Sequence, residues 1–177
     1  MNFAQLYFND VANGIGCRTA LFVSGCTHHC KGCFNEMTWD FNYGEPYTEE
    51  TEEKILNSLE PTYVKGLTIL GGEPMEICNQ KAIRPLIERI RKQFPNKSIW
   101  IYSGYTFEEL TDSSDKRCHG EDTDEILENI DILVDGEFVL EKRDISLRFR
   151  GSSNQRVIDV PKSLKEGEVI LSEYGNR

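Results

Sequence analysis

Lys65-Gly66-Leu67-Thr68-Ile69-Leu70-Gly71-Gly72-Glu73-Pro74 is an apolar, β-branched run that enters a glycine turn without a break. A short stretch of this kind, bounded by turn residues, reads as a buried strand. Upstream, Cys17-Arg18-Thr19-Ala20-Leu21-Phe22-Val23 repeats the pattern and runs into Ser24-Gly25-Cys26-Thr27-His28-His29-Cys30-Lys31-Gly32-Cys33-Phe34-Asn35. Downstream, residues 98–102 end in Ser103-Gly104-Tyr105, and residues 132–134 end in Asp135-Gly136. Helical patterns fill the gaps. Thr48 is placed to cap a helix with an acidic first turn and an Ile55, Leu56, Leu59 stripe. Ala82, Ile83, Leu86, Ile87, Ile90 and Phe94 mark a second helix, from an Asn79 start to a Pro95 stop. Pro85 inside it should kink it or mark its true beginning. Thr106 and Glu109 form a capping box, and residues 125–130 make a short helix. Strand alternating with helix predicts an α/β fold of parallel βαβ units. The loops at the carboxyl ends of such strands gather on one face, so four motifs should meet around one pocket.

The remaining segments are read more simply. Asn13-Gly14-Ile15-Gly16 is a turn-rich entry to the first strand, and residues 39–47 form an aromatic loop. Cys17 reads as a buried, inert thiol. Residues 111–123 are polar and predict a solvated loop that carries Cys118 and His119. Beyond Arg150, Gly151-Ser152-Ser153-Asn154-Gln155-Arg156 leads to a strand Val157-Ile158-Asp159-Val160, stopped by Pro161.

Composition bounds the function. The chain has 177 residues, 38% hydrophobic and 28% charged, which fits one soluble domain over 1–177 with a core at about 14–160. A formal charge of -10 argues against phosphate-backbone binding and hence against a nucleic-acid partner. No basic-then-apolar leader and no membrane-length apolar run are visible, so the expectation is a cytoplasmic protein without a membrane partner. Six cysteines in that setting read as thiols or metal ligands rather than a disulfide framework.

Cys26, Cys30 and Cys33 are one ligand short of a closed four-coordinate site. A C-x3-C-x2-C triplet therefore suggests an iron–sulfur cubane with one iron left free. Gly71 and Gly72 would let backbone approach a ligand closely, Glu73 could accept from an ammonium, and Ser103 and Asp135 could bond hydroxyls. A ligand with an amino acid end and a sugar end would suit this set.

With the triplet after one strand and Gly71-Gly72-Glu73-Pro74 after the next, the chain resembles the radical S-adenosylmethionine (SAM) superfamily. Within it, the likeness is to the activases of anaerobic ribonucleoside-triphosphate reductase. It extends to Asn13-Gly14-x-Gly16, Trp100-x-Tyr102-x-Gly104-Tyr105, Val134-Asp135-Gly136-x-Phe138 and Arg150-Gly151-Ser152-Ser153-Asn154-Gln155-Arg156. Gly32 stands where the superfamily commonly has an aromatic residue, as it does in these activases. The acidic stretch 112–124 is longer than the likeness leads one to expect.

The resemblance implies a partial, open (βα)6-type radical SAM barrel with parallel strands. A closed eight-unit barrel takes roughly 250 residues. It implies a 4Fe-4S cluster on Cys26, Cys30 and Cys33, whose free iron chelates SAM. It places Gly71, Gly72 and Glu73 at the SAM ammonium, the backbone of Gly32 to Phe34 (with Cys33 between) at the adenine, Ser103 near the ribose, and Asp135 as a further contact that competes with an ordinary turn. Asn154, Gln155 and Arg156 are read as SAM contacts, a partner surface or a structural turn; His28 as tuning the cluster or facing solvent. The implied partners are the large glycyl-radical subunit of anaerobic ribonucleotide reductase and a one-electron donor such as flavodoxin or ferredoxin. The competing readings are a pyruvate formate-lyase type activase, a small-molecule enzyme such as a deazapurine synthase, and a non-enzymatic zinc module.

Overall fold

The computed structural model describes residues 1–175. Among the described residues, seven strands form one open sheet: β1 (Asn2–Asp10), β2 (Cys17–Val23), β3 (Glu45–Pro46), β4 (Val64–Gly71), β5 (Ser98–Tyr102), β6 (Ile132–Asp135) and β7 (Arg156–Asp159), in the order β3-β1-β2-β4-β5-β6-β7. The middle strands β2, β4, β5 and β6 are parallel, in the register Leu21 to Ile69 and Ile69 to Ile101. The flanks are not. β1 runs antiparallel to β2 and β3, and β7 antiparallel to β6. The expectation of parallel strands throughout is therefore corrected. Residues 11–16 are too short for a crossover and can join only an antiparallel pair. Residues 136–155 hold no crossover helix, only a 3-10 turn, Leu140–Lys142, and an antiparallel bridge between Arg143 and Ser152, and the chain doubles back with Val134 beside Val157.

Helices α1 (Glu49–Leu59), α2 (Ile77–Gln93) and α4 (Thr123–Glu128) pack into the main core against β2, β4, β5 and β6, and the two helices that follow add Phe107, Leu110 and Val160 to it. Two short helices, α3 (Phe107–Thr111) and α5 (Val160–Glu166), complete the set. Thr48 caps α1 through Thr51, and Thr106 and Glu109 box the start of α3. Helix α2 begins two residues before Asn79 and runs through Pro85. Asn79 is not its cap: the buried amide donates to Ser24 O (3.1 Å) and Glu73 O (2.9 Å). Pro161 opens α5 rather than stopping β7, because Asp159 accepts from Lys162 N as the cap and Pro suits a first turn. Cys17 is half-buried, with Asn9 Oδ1 at 3.5 Å.

The solvated loop expected at 111–123 is partly buried. Cys118 and His119 lie inside, since the buried amide of Gln80 donates to Cys118 O (2.7 Å) and Thr123 Oγ1 donates to Gln80 Oε1 (2.6 Å). These long-range partners leave no trace in local composition.

The opposite face of the sheet has its own cluster. Strand alternation puts Ile99 and Ile101 in the helical core but Trp100 and Tyr102 on the other side, with Ile132, Val134, Val157, Ile15, Phe149 and Tyr174. Arg18 lies fully buried there, over Trp100 at 5.3 Å. All five of its N–H groups find acceptors: Thr68 Oγ1 (2.7 Å), Ile15 O (3.4 Å), Ser98 Oγ (2.9 Å), Leu67 O (2.8 Å) and Ser98 O (2.9 Å). Burial pushes its pKa down to about 10, which leaves it charged at neutral pH.

Arg18→Ala strands these acceptors in a buried setting and is expected to cost about 3 kcal/mol or more. The urea midpoint of the purified protein measures it. An unchanged midpoint would show that the guanidinium does not hold this face together.

Candidate active site

The carboxyl ends of β2, β4, β5 and β6 open to one side, and backbone bonds draw the loops together there. Gly72 N donates to Val23 O (2.8 Å), Glu73 N to Gly25 O (2.7 Å), and Gly25 N to Thr38 O (2.8 Å). This approach requires glycine. A Cβ on Gly72 would fall 2.6 Å from Gly25 O, and Gly71, at φ +112°, would place one 2.7 Å from Val23 N.

Glu73 is the hub. It is 1% exposed, and Oε1 accepts from Met75 N (2.8 Å) and Ser103 Oγ (2.9 Å), while Oε2 accepts from Gly104 N (2.7 Å) and faces His28 Nε2 (3.0 Å). These four partners use the capacity of a carboxylate. Through these bonds Glu73 holds the glycine turn, the 103–104 turn and the cysteine loop together.

His28 is half-buried, and its side chain is only 8% exposed rather than solvent-facing. Its Nδ1 meets Glu137 Oε1 at 2.8 Å, and its ring packs on Tyr105 at 4.4 Å. Burial works against its charge, but bonds to Glu73 and Glu137 outweigh burial and raise its pKa to about 9. Glu76, which the sequence reading missed, accepts from Thr27 N (2.7 Å) and Thr27 Oγ1 (2.6 Å). An acid set into the apolar start of α2 was the available signal. His29 stacks on Trp39 at 4.5 Å.

Cys26, Cys30 and Cys33 are free thiols and line one cavity of about 620 Å³ together with Gly32, Phe34, Gly71, Gly72, Glu73 and Ser103. Phe34 is 90% exposed and lies at the rim of this cavity. Asp135 does not line this cavity. Its carboxylate takes Phe107 N (2.8 Å) and Arg156 Nε (3.0 Å) and Nη2 (2.5 Å), which makes it a structural tie. Arg156 also holds Glu108, Asn154 Nδ2 donates to Glu137 O (2.8 Å), and Gln155 spans Gly151 N (2.9 Å) and Gly136 O (2.9 Å). The Asn154-Gln155-Arg156 block thus pins the 136–155 return against the end of β6, and so supports Glu137 and His28.

Among the described residues no three His, Cys, Asp or Glu side chains are gathered into a metal-holding group. The donor set itself fits iron–sulfur chemistry: three thiols on one loop, all on one cavity wall. Burial pushes the Cys26 thiol up to about 12, while the backbone N–H groups of His28 and His29 favour its thiolate. A metal bound there must displace that proton.

The model of a 4Fe-4S single cluster domain matches residues 12–158. The anaerobic ribonucleoside-triphosphate reductase-activating protein of Vibrio cholerae is 45% identical over 157 residues, covering 88% of this chain and 96% of the relative. Its namesakes from Haemophilus influenzae (43%, 88% and 96%) and Escherichia coli (42%, 89% and 97%) are similar. The chain belongs to this activating-protein family. The 4Fe-4S domain match, over residues 12–158, takes in the cysteine loop, the glycine turn and the 150–156 block alike.

In an activase site tied together through one carboxylate, Glu73→Ala unpairs four partners at once. The expected loss is about 2–5 kcal/mol of stability, with Glu73→Gln intermediate because one acceptor oxygen remains. Denaturation of metal-free protein gives the first quantity. Iron per chain after anaerobic reconstitution gives the second and should fall in the same order.

Proposed function

We propose that this chain activates anaerobic ribonucleoside-triphosphate reductase, as its relatives' name states of them, with a 4Fe-4S cluster on Cys26, Cys30 and Cys33 and with SAM as co-substrate. The carrying observation is that three free thiols and the Gly71–Gly72 backbone share one cavity at the ends of four parallel strands. The chemistry such a cluster supplies when bound is one-electron reduction of the SAM sulfonium, giving methionine and a 5′-deoxyadenosyl radical that takes hydrogen from a glycine of the reductase.

The protein's own share is position and dryness. Gly71 and Gly72 offer backbone to the SAM amino group, and the backbone of Gly32 and Phe34 meets the adenine. Ser103 Oγ donates its hydrogen bond to Glu73 Oε1 (2.9 Å) and accepts from Tyr105 N (3.1 Å), so it can meet a ribose only as an acceptor. Trp39, Leu70, Val134 and Phe149 supply apolar wall that keeps water out. No side chain needs to act as a general acid or base.

The sheet is read as a partial, open radical SAM barrel within one domain. Support comes from the four parallel strands, the unjoined edges and a single main core drawn from β1 to α5. An open mouth suits a protein substrate: Phe34 and Ile145, both on the cavity wall, are each 90% exposed. The electron donor is read as a flavodoxin or ferredoxin. Among the described residues no helix is long and apolar enough to cross a membrane, and the net charge of -10 disfavours nucleic acid.

Anaerobic incubation of reconstituted protein with reductant, SAM and the reductase should yield deoxyadenosine and a glycyl doublet in electron paramagnetic resonance. The triple Cys26/Cys30/Cys33→Ala variant should lose both signals, by at least about a hundredfold, since each needs the cluster. Protein that binds zinc without sulfide would end this reading.

A further inference from the structure

Tyr102 closes β5, beside Val134 of β6, and its ring belongs to the Trp100 face of the sheet. That face forms the floor of the cysteine-lined cavity, where Tyr102 lies with Asn13, Leu70, Val134 and Phe149. Its hydroxyl is buried, and among the described residues it has no hydrogen-bond partner. The groups that interact with it electrostatically are already committed. Arg18 has spent all five N–H groups on other acceptors. The Asp10 carboxylate takes Ala12 N (3.4 Å), Asn13 N (3.0 Å) and Asn13 Nδ2 (3.1 Å). Burial holds the phenol well above its ordinary pKa, so it remains a donor.

A buried hydroxyl without a partner destabilises a fold. Its presence in a reaction cavity points to a group that is satisfied from outside the chain. We propose that Tyr102 is a binding residue of the site, whose hydroxyl donates a hydrogen bond to an acceptor oxygen of the molecule bound in this cavity. That oxygen belongs either to SAM, on its sugar or carboxylate, or to a peptide carbonyl of the target's glycine loop. The inference rests on the activase reading, and it adds a polar contact on the floor, away from the cysteine loop and the glycine turn.

Tyr102→Phe removes only the hydroxyl. With the full chain, three measurements decide. Metal-free Tyr102→Phe should melt about 2–4 °C higher than the parent, because an unsatisfied buried group has gone. Iron content after reconstitution should match the parent. Ligand binding should weaken by about tenfold: a raised Kd for SAM assigns the acceptor to SAM, whereas an unchanged Kd with a raised KM for the reductase assigns it to the target loop. An unchanged or lower melting temperature, or unchanged Kd and KM together, overturns the proposal. Parent protein that cleaves SAM while the variant equals it in every measurement sinks Tyr102 alone. Parent protein that neither binds nor cleaves SAM sinks the activase reading and Tyr102 with it.

Discussion

The carboxylate of Glu73 is the constraint on which the site depends. One buried side chain, reached from β4, accepts from the 103–104 turn after β5 and from its own Met75 N, and it meets His28 of the cysteine loop. Through His28 and Glu137 the network extends to the turn after β6. Four loops that have no regular structure of their own are thereby referred to one point. A carboxylate suits this task because it accepts in several directions and has no proton to misplace. Its burial is tolerable only because every direction is filled.

The two faces of the sheet do different work. The helical face is an aliphatic core of Leu, Ile and Val packed by α1, α2 and α4. The other face carries Arg18, Trp100 and Tyr102 under a cover made by residues from the β1–β2 turn and the 149 and 174 regions. A buried guanidinium with every N–H engaged fixes the spacing of β2, β4 and β5 on the side that floors the cavity. The helical core supplies most of the apolar burial, and this polar and aromatic face supplies shape.

What could be read from sequence was local. The β-branched runs of β2, β4 and β5 and the caps at Thr48 and Thr106 depend on neighbours within a few residues, and each lies where its chemistry put it. β1 escaped because Phe3 is its one buried apolar side chain and the pattern is broken by register shifts. The antiparallel return to β7 escaped because nothing in residues 136–155 says which way the chain turns. In the site, the spacing of the cysteines and the glycine pair were legible. The saturation of Glu73 was not, since its donors come from segments 30 and 45 residues away. The same holds for Asp135, whose partner Arg156 lies 21 residues on.

An open sheet has two unpaired edges, and an edge is a template for pairing with another chain. This protein blunts both. At one end β3 is only two residues long and finishes in Pro46, which has no N–H to offer. At the other, β7 is covered by its own tail: Asp159 N donates to Ile170 O (2.9 Å), and Ser172 N donates to Val157 O (2.8 Å). The cavity therefore lies in a sheet whose two borders leave little backbone free for strand pairing. Access to the cavity and protection of the sheet edges are separate features here, since one lies in the cavity mouth and the other in the sheet's margins.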